Sequence, residues 1–143
     1  MSLPKHIAFI MDGNGRWGQS KKQGRNFGHL NGVKVIEKIV KYSLKKKLPI
    51  LTFYVFSTEN WSRPAKEIKY LFTLITSYFE KEITNLVKNG VRVKIIGDIS
   101  KLPFHTQKML KHSILATKKN KKIIINLCIN YGSKNEIVRS VNK

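Results

Sequence analysis

With 143 residues, 28 Lys or Arg against 8 Asp or Glu and a formal net charge of +20, the chain reads as one domain over residues 1–143 that attracts phosphate-bearing partners. Its single cysteine, Cys128, excludes an internal disulfide and favours a reducing compartment. No apolar run approaches the roughly 20 residues of a membrane span, and Met1–His6 lacks a signal-peptide core, so a soluble, cytoplasmic protein is expected.

The first element is a strand, His6–Met11, whose apolar residues lead into Asp12-Gly13-Asn14-Gly15-Arg16-Trp17. A buried strand that opens into a Gly-rich turn and then a helix presents backbone N–H groups to an anion. Asp12 puts a carboxylate where a divalent cation bridges it to phosphate oxygens. Arg16 adds a planar donor fork suited to phosphate. The segment matches neither G-x-x-x-x-G-K-[ST] nor G-x-G-x-x-G. It reads as a magnesium-diphosphate pocket, against the plainer reading of a tight connection that needs glycine.

A helix is expected over Gly28–Lys47, with Val33, Ile36, Val40 and Leu44 on one stripe. Just before it, Arg25 and His29 lie four apart and share a face if the helix begins early. Together they would clamp the outer oxygens of a diphosphate; a helix start with an exposed Arg and an incidental His is the even alternative. The second strand, Pro49–Ser57, runs into Phe56-Ser57-Thr58-Glu59-Asn60-Trp61-Ser62-Arg63-Pro64. Hydroxyls, an amide, a carboxylate, an indole and an Arg crowd there, as in a substrate-closing loop.

Glu67–Asn89 is the longest helical pattern, with Ile68, Leu71, Phe72, Ile75, Phe79, Ile83 and Leu86 on one stripe and Asn89-Gly90 as its stop. Its face, with Tyr78, serves either as core or as the wall of an apolar cavity. Strands Val91–Gly97 and Ile123–Asn130 flank a helix over Pro103–Lys119, and a last helix begins at Ser133 and runs to Val141. The order βαβαβαβ predicts an α/β fold, a parallel sheet buried on both faces by helices. Right-handed crossovers bring all strand carboxyl ends to one rim. Asp12, Ser57–Trp61, Gly97-Asp98 and Asn130-Tyr131-Gly132 meet there. Cys128 is expected to be buried and inert, and His6, His105 and His112 show no zinc-ligand spacing. The lysines scatter over helical faces without interleaved aromatics, so a nucleic-acid-binding domain is not indicated.

In order, His6–Trp17, Gly24–His29, Thr52–Pro64, Val91–Asp98 and Asn126–Gly132 resemble the cis-prenyltransferases, the undecaprenyl diphosphate synthase (isoprenyl transferase) family. The resemblance implies a Mg2+-dependent transferase that adds isopentenyl diphosphate units to farnesyl diphosphate, making an undecaprenyl-type lipid carrier of cell wall synthesis. It implies that Asp12 holds Mg2+ and is needed for catalysis, with Asn60 as proton acceptor. Gly13, Asn14, Gly15 and Arg16 would cradle the allylic diphosphate, helped by Arg25 and His29, with Trp17 at the mouth. Ser57, Thr58, Glu59, Trp61 and Arg63 would form the closing loop, assisted by Glu67. A homodimer and peripheral contact with an anionic membrane's inner face are implied as well.

The family continues with an Arg-rich segment of the form R-x-x-G-E-x-R-x-S-N-F, which binds isopentenyl diphosphate, and a later metal-site Glu. Residues 133–143 provide neither. On that comparison the chain resembles a C-terminally truncated member, expected to be inactive or weakly active alone. The alternative is a non-catalytic subunit or remnant that binds polyprenyl diphosphate.

Overall fold

The computed structural model describes residues 4–142. Among them, strands β1 (His6–Ile10), β2 (Ile50–Ser57), β3 (Val91–Ile96) and β4 (Ile123–Tyr131) form one sheet in the order β1-β2-β4-β3. Every pairing is parallel, with His6 opposite Ile50, Ile50 opposite Ile124, and Val91 opposite Ile123. The connecting helices are α1 (Asn14–Ser20), α2 (Gly24–Lys45), α3 (Ala65–Lys88), α4 (Phe104–Thr117) and α5 (Ser133–Val141). Short 3-10 turns occupy Thr58–Ser62 and Ile99–Lys101. No helix among the described residues is long and apolar enough to cross a membrane.

The hydrophobic core lies on one face of the sheet. Leu51 and Phe53 of β2, Ile123, Ile125 and Ile129 of β4, and Val91 and Val93 of β3 point to it. Val40 of α2, Phe72 and Phe79 of α3 and Leu110 of α4 close it from above. Each such side chain contributes about 1.5–3 kcal/mol when fully buried. The expected burial of both faces does not hold. On the opposite face Ile10 is 79% and Tyr54 41% exposed, and His6, Ala8 and Lys94 are exposed as well. The reason is legible in β3, where Val91, Val93 and Ile95 alternate with Arg92 and Lys94, a pattern of one buried and one solvated face.

The elements otherwise fall close to the expected boundaries. Helix α2 begins at Gly24, four residues before the expected start at Gly28, so Arg25 and His29 do share its face. Helix α3 stops at Asn89 and Gly90, the latter at φ 73°. The Gly-rich turn after β1 is shorter than expected, because Asn14 already belongs to a seven-residue helix and only Gly13, at φ 83°, takes the left-handed conformation.

The remaining glycines of α1 and α2 have a packing role that spacing did not reveal. A Cβ on Gly28 would overlap the backbone carbonyl of Asn14, and one on Gly15 would meet the Arg25 guanidinium at 2.7 Å. The two helices approach so closely because neither carries a side chain at the crossing. Gly28→Ala is therefore expected to destabilise the fold by about 1–3 kcal/mol, the usual cost of overpacking. Leu30→Ala, on the more exposed side of the same helix, should cost less than about 1 kcal/mol. Urea denaturation of both variants checks the difference.

Candidate active site

At the carboxyl rim of β1, the Asp12 side chain is 69% exposed. Its Oδ1 accepts the Gly13 N–H at 2.6 Å, and its Oδ2 accepts Nη2 of Arg16 at 3.2 Å. The short α1 helix carries Arg16 one turn on from Asp12, so both groups project over the rim. Asn14 is locked beneath them, its Nδ2 donating to the Met11 carbonyl at 3.5 Å.

Behind this edge lies a buried ionic knot. The Glu67 carboxylate, on the first turn of α3, is 7% exposed. Arg25 donates to it from Nε at 2.9 Å and from Nη2 at 3.0 Å. His29 Nε2 lies 3.0 Å away, and Arg63 Nη1 reaches it at 3.4 Å. A carboxylate only accepts, so His29 must carry its proton on Nε2. Arg25, with His29 second, holds the Glu67 carboxyl down at about 2 against an ordinary 4.5, and Glu67 in turn raises Arg25. Arg25 and His29 thus form one face as expected, but their nearest acceptor is a protein carboxylate 42 and 38 residues away in sequence.

The loop after β2 is a capped 3-10 turn. Ser57 and Asn60 form a reciprocal capping box, in which Asn60 Oδ1 accepts the Ser57 N–H at 3.2 Å. The residue expected to accept a proton therefore spends its carbonyl oxygen on the loop itself. The Ser57 hydroxyl beside Glu59 holds that carboxyl below its ordinary value.

These groups surround a cleft of about 660 Å3. Asp12, Gly13, Asn14, Gly15 and Arg16 form one wall, Arg25 and His29 a second, and Ser57, Glu59, Asn60 and Arg63 a third. Four expected residues do not line it. Trp17 stacks on Phe27 with centroids 5.7 Å apart, Glu67 sits behind Arg25, and Thr58 and Trp61 face a second cleft. The floor of the large cleft is apolar: Val33 and Ile36 from α2, Leu71, Leu74 and Ile75 from α3. The α3 stripe is thereby divided, with Phe72 and Phe79 in the core and Leu71 and Ile75 on the cavity. Tyr131, placed on the rim by the sequence, joins the lining, and so does Leu74, which had not been singled out. Cys128 borders the same cleft, 2% exposed and with its thiol pushed up by burial.

No three His, Cys, Asp or Glu side chains gather as a metal cage among the described residues. Mg2+ does not require one, since it binds through one or two carboxylates, water and phosphate oxygens. The open Asp12 carboxylate beside Arg16 fits that donor set.

Residues 10–143 match the prenyltransferase family model, that of undecaprenyl diphosphate synthase. An isoprenyl transferase of Clostridium perfringens is 46% identical over 139 residues, covering 97% of this chain and 55% of the relative. One from Prochlorococcus marinus is 43% identical over 141 residues, covering 99% and 52%. Lavandulyl diphosphate synthase from Lavandula x intermedia, solved in complex with dimethylallyl diphosphate, superposes with a TM-score of 0.92 at 25% identity, over 97% of this chain and 60% of that one. A probable undecaprenyl diphosphate synthase from Campylobacter jejuni gives 0.79 at 31% identity, over 99% and 62%. The chain spans about half the length of the curated relatives it matches.

The Glu67 knot makes a pH-dependent contribution to stability. Its carboxyl titrates near 4.5 when unfolded and near 2 when folded, so the unfolded chain takes up a proton first as pH falls. The contribution is complete above about pH 4.5 and is lost as pH falls through 2. Glu67→Gln is expected to cost about 3 kcal/mol at pH 7, with the gap to the parent closing between pH 4.5 and 2. Denaturation midpoints of both proteins across that range test it.

Proposed function

The chain belongs to the undecaprenyl diphosphate synthase family of prenyltransferases, and on that premise we propose that its cleft binds the allylic diphosphate for cis-prenyl chain elongation. The observation that carries the reading is the amphipathic character of one cavity. A cationic and amide-rich rim of Asn14, Arg16, Arg25, His29 and Arg63 stands directly over an apolar floor of Val33, Ile36, Leu71, Leu74 and Ile75. A prenyl diphosphate has the same division, a multiply charged head on a hydrocarbon tail. The lavender neighbour was solved with an allylic diphosphate bound, which supports the same ligand class here.

In the reaction, the allylic C–O bond breaks as diphosphate leaves, a C–C bond forms to the alkene of isopentenyl diphosphate, and one proton is lost. Negative charge grows on the leaving oxygens, and Arg16 and the backbone N–H groups after Gly13, which line the cleft, would stabilise it. Asp12 would hold Mg2+, which when bound neutralises phosphate charge. Arg25 keeps its place through Glu67 and offers its remaining guanidinium N–H groups preorganised, while His29, whose Nε2–H is given to Glu67, helps to hold that mount. The apolar floor excludes water from the allylic carbon and admits the tail. Asn60, whose oxygen caps the loop, is read as shaping the closure over the substrates, with the proton leaving through diphosphate or water. The reading extends to farnesyl diphosphate and isopentenyl diphosphate as substrates. It also includes the family's homodimer and a peripheral lipid contact, toward which a net charge of +20 gives attraction.

Calorimetric titration with farnesyl diphosphate and Mg2+ tests this directly. Binding weakened about tenfold or more, equivalent to about 1.4 kcal/mol, is expected in Asp12→Ala. Arg16→Ala should lose a comparable amount. An absence of binding to the parent chain, or equal affinity in all three proteins, would overturn the reading.

A further inference from the structure

The 57–63 loop is a thin wall between two cavities. Its Ser57, Glu59, Asn60 and Arg63 face the large cleft, while Thr58 and Trp61 face a second one of about 450 Å3. Arg63 ties the near side to Glu67. The far side is tied elsewhere, to the end of β4.

Asn130 is 6% exposed and stands at φ 48°, a conformation that non-glycine residues seldom adopt but that Asn tolerates. Its Oδ1 accepts the Trp61 Nε1–H at 2.8 Å, and its Nδ2 donates to the Asp98 carbonyl at 2.7 Å. The two bonds use opposite ends of the amide, so they fix its orientation. The Trp61 ring is meanwhile wedged against Phe56 and Phe72, with centroids 5.2 and 5.6 Å away. Two glycines show how tightly the parts meet. A Cβ on Gly97 would overlap the Ile129 carbonyl, and one on Gly132 would overlap the Thr58 hydroxyl. The loop and the turn after β3 therefore both lean on the last residues of β4.

We propose that Asn130 is a positioning residue: acting through the Trp61 indole, it holds the 57–63 loop against the sheet so that the loop's other face presents Asn60 and Arg63 to the large cleft. The consequence of these hydrogen bonds for diphosphate binding rests on the function proposed above.

Asn130→Gly separates the side chain's role from the backbone's, because glycine keeps the positive φ at no steric cost while both amide bonds disappear. Trp61→Phe removes the indole donor, keeps an aromatic ring against Phe56 and Phe72, though a smaller one, and leaves the β4 backbone untouched. Two readouts apply: hydrogen exchange of the Trp61 indole N–H by NMR, and affinity for inorganic diphosphate with Mg2+. In Asn130→Gly the indole proton should exchange about tenfold faster or more, with the other slow amides unchanged. Affinity should fall about tenfold in Asn130→Gly, in Trp61→Phe, and no further in the double variant, since all three break one link. Unaltered indole exchange in Asn130→Gly would overturn the proposal, as would additive losses in the double variant. If the parent binds no diphosphate, the functional reading fails, while the exchange rate still decides whether Asn130 holds the loop.

Discussion

A buried carboxylate must be paired, and the way Glu67 is paired governs the shape of the whole rim. Taking an ion out of water costs several kcal/mol unless donors replace the lost hydration. Glu67 obtains them from three places: Arg25 and His29 on α2, and Arg63 in the loop after β2. One side chain on α3 thereby fixes the start of α2 and the end of the loop relative to each other. Beside that point, residues of both helices form the apolar floor of the cleft. Hydrophobic burial brings α2 and α3 onto the sheet, but being non-directional it does not dictate where their ends stop. The ion cluster does.

The same device explains how cationic groups are kept ready beside an apolar cavity. Four positive or potentially positive side chains with no counter-charge would repel one another and swing toward water. With Glu67 among them, Arg25, His29 and Arg63 become parts of one mount, while Arg16 stays at the exposed edge beside Asp12. On the proposed function, the rim would meet a diphosphate without first reorganising, which is the condition for electrostatic stabilisation of a leaving group. The loop receives a second anchorage from β4 through Asn130 and Trp61, so its cleft-facing residues are held from both sides.

Much of this was legible from residue order. The alternation of apolar runs and 3.6-residue stripes gave the parallel α/β arrangement, and the handedness of its crossovers collected Asp12, Ser57, Asp98 and Asn130 on one rim. The four-residue spacing of Arg25 and His29 placed them on one face once the helix began at Gly24. Glu67 was named as a helper of the loop, yet its embrace of Arg25 spans 42 residues, and no local period records that. The close contact of α1 and α2 was hidden for the same reason: Gly15 reads as a turn residue and Gly28 as a helix start until the two helices are seen to cross.

The sequence by itself determined the strands and the longer helices, their parallel order and the polar residues gathered at the strand ends, because each of these follows from local periodicity, turn chemistry and chain handedness. Only the tertiary structure decided which sheet face carries the helices, which part of the α3 stripe is core and which is cavity wall, and which donors are already engaged. Asn60 illustrates the difference. Its amide was available for any role until the fold closed its oxygen onto the Ser57 N–H. A polar side chain's function depends on the partner it is left without, and that is settled when distant segments meet.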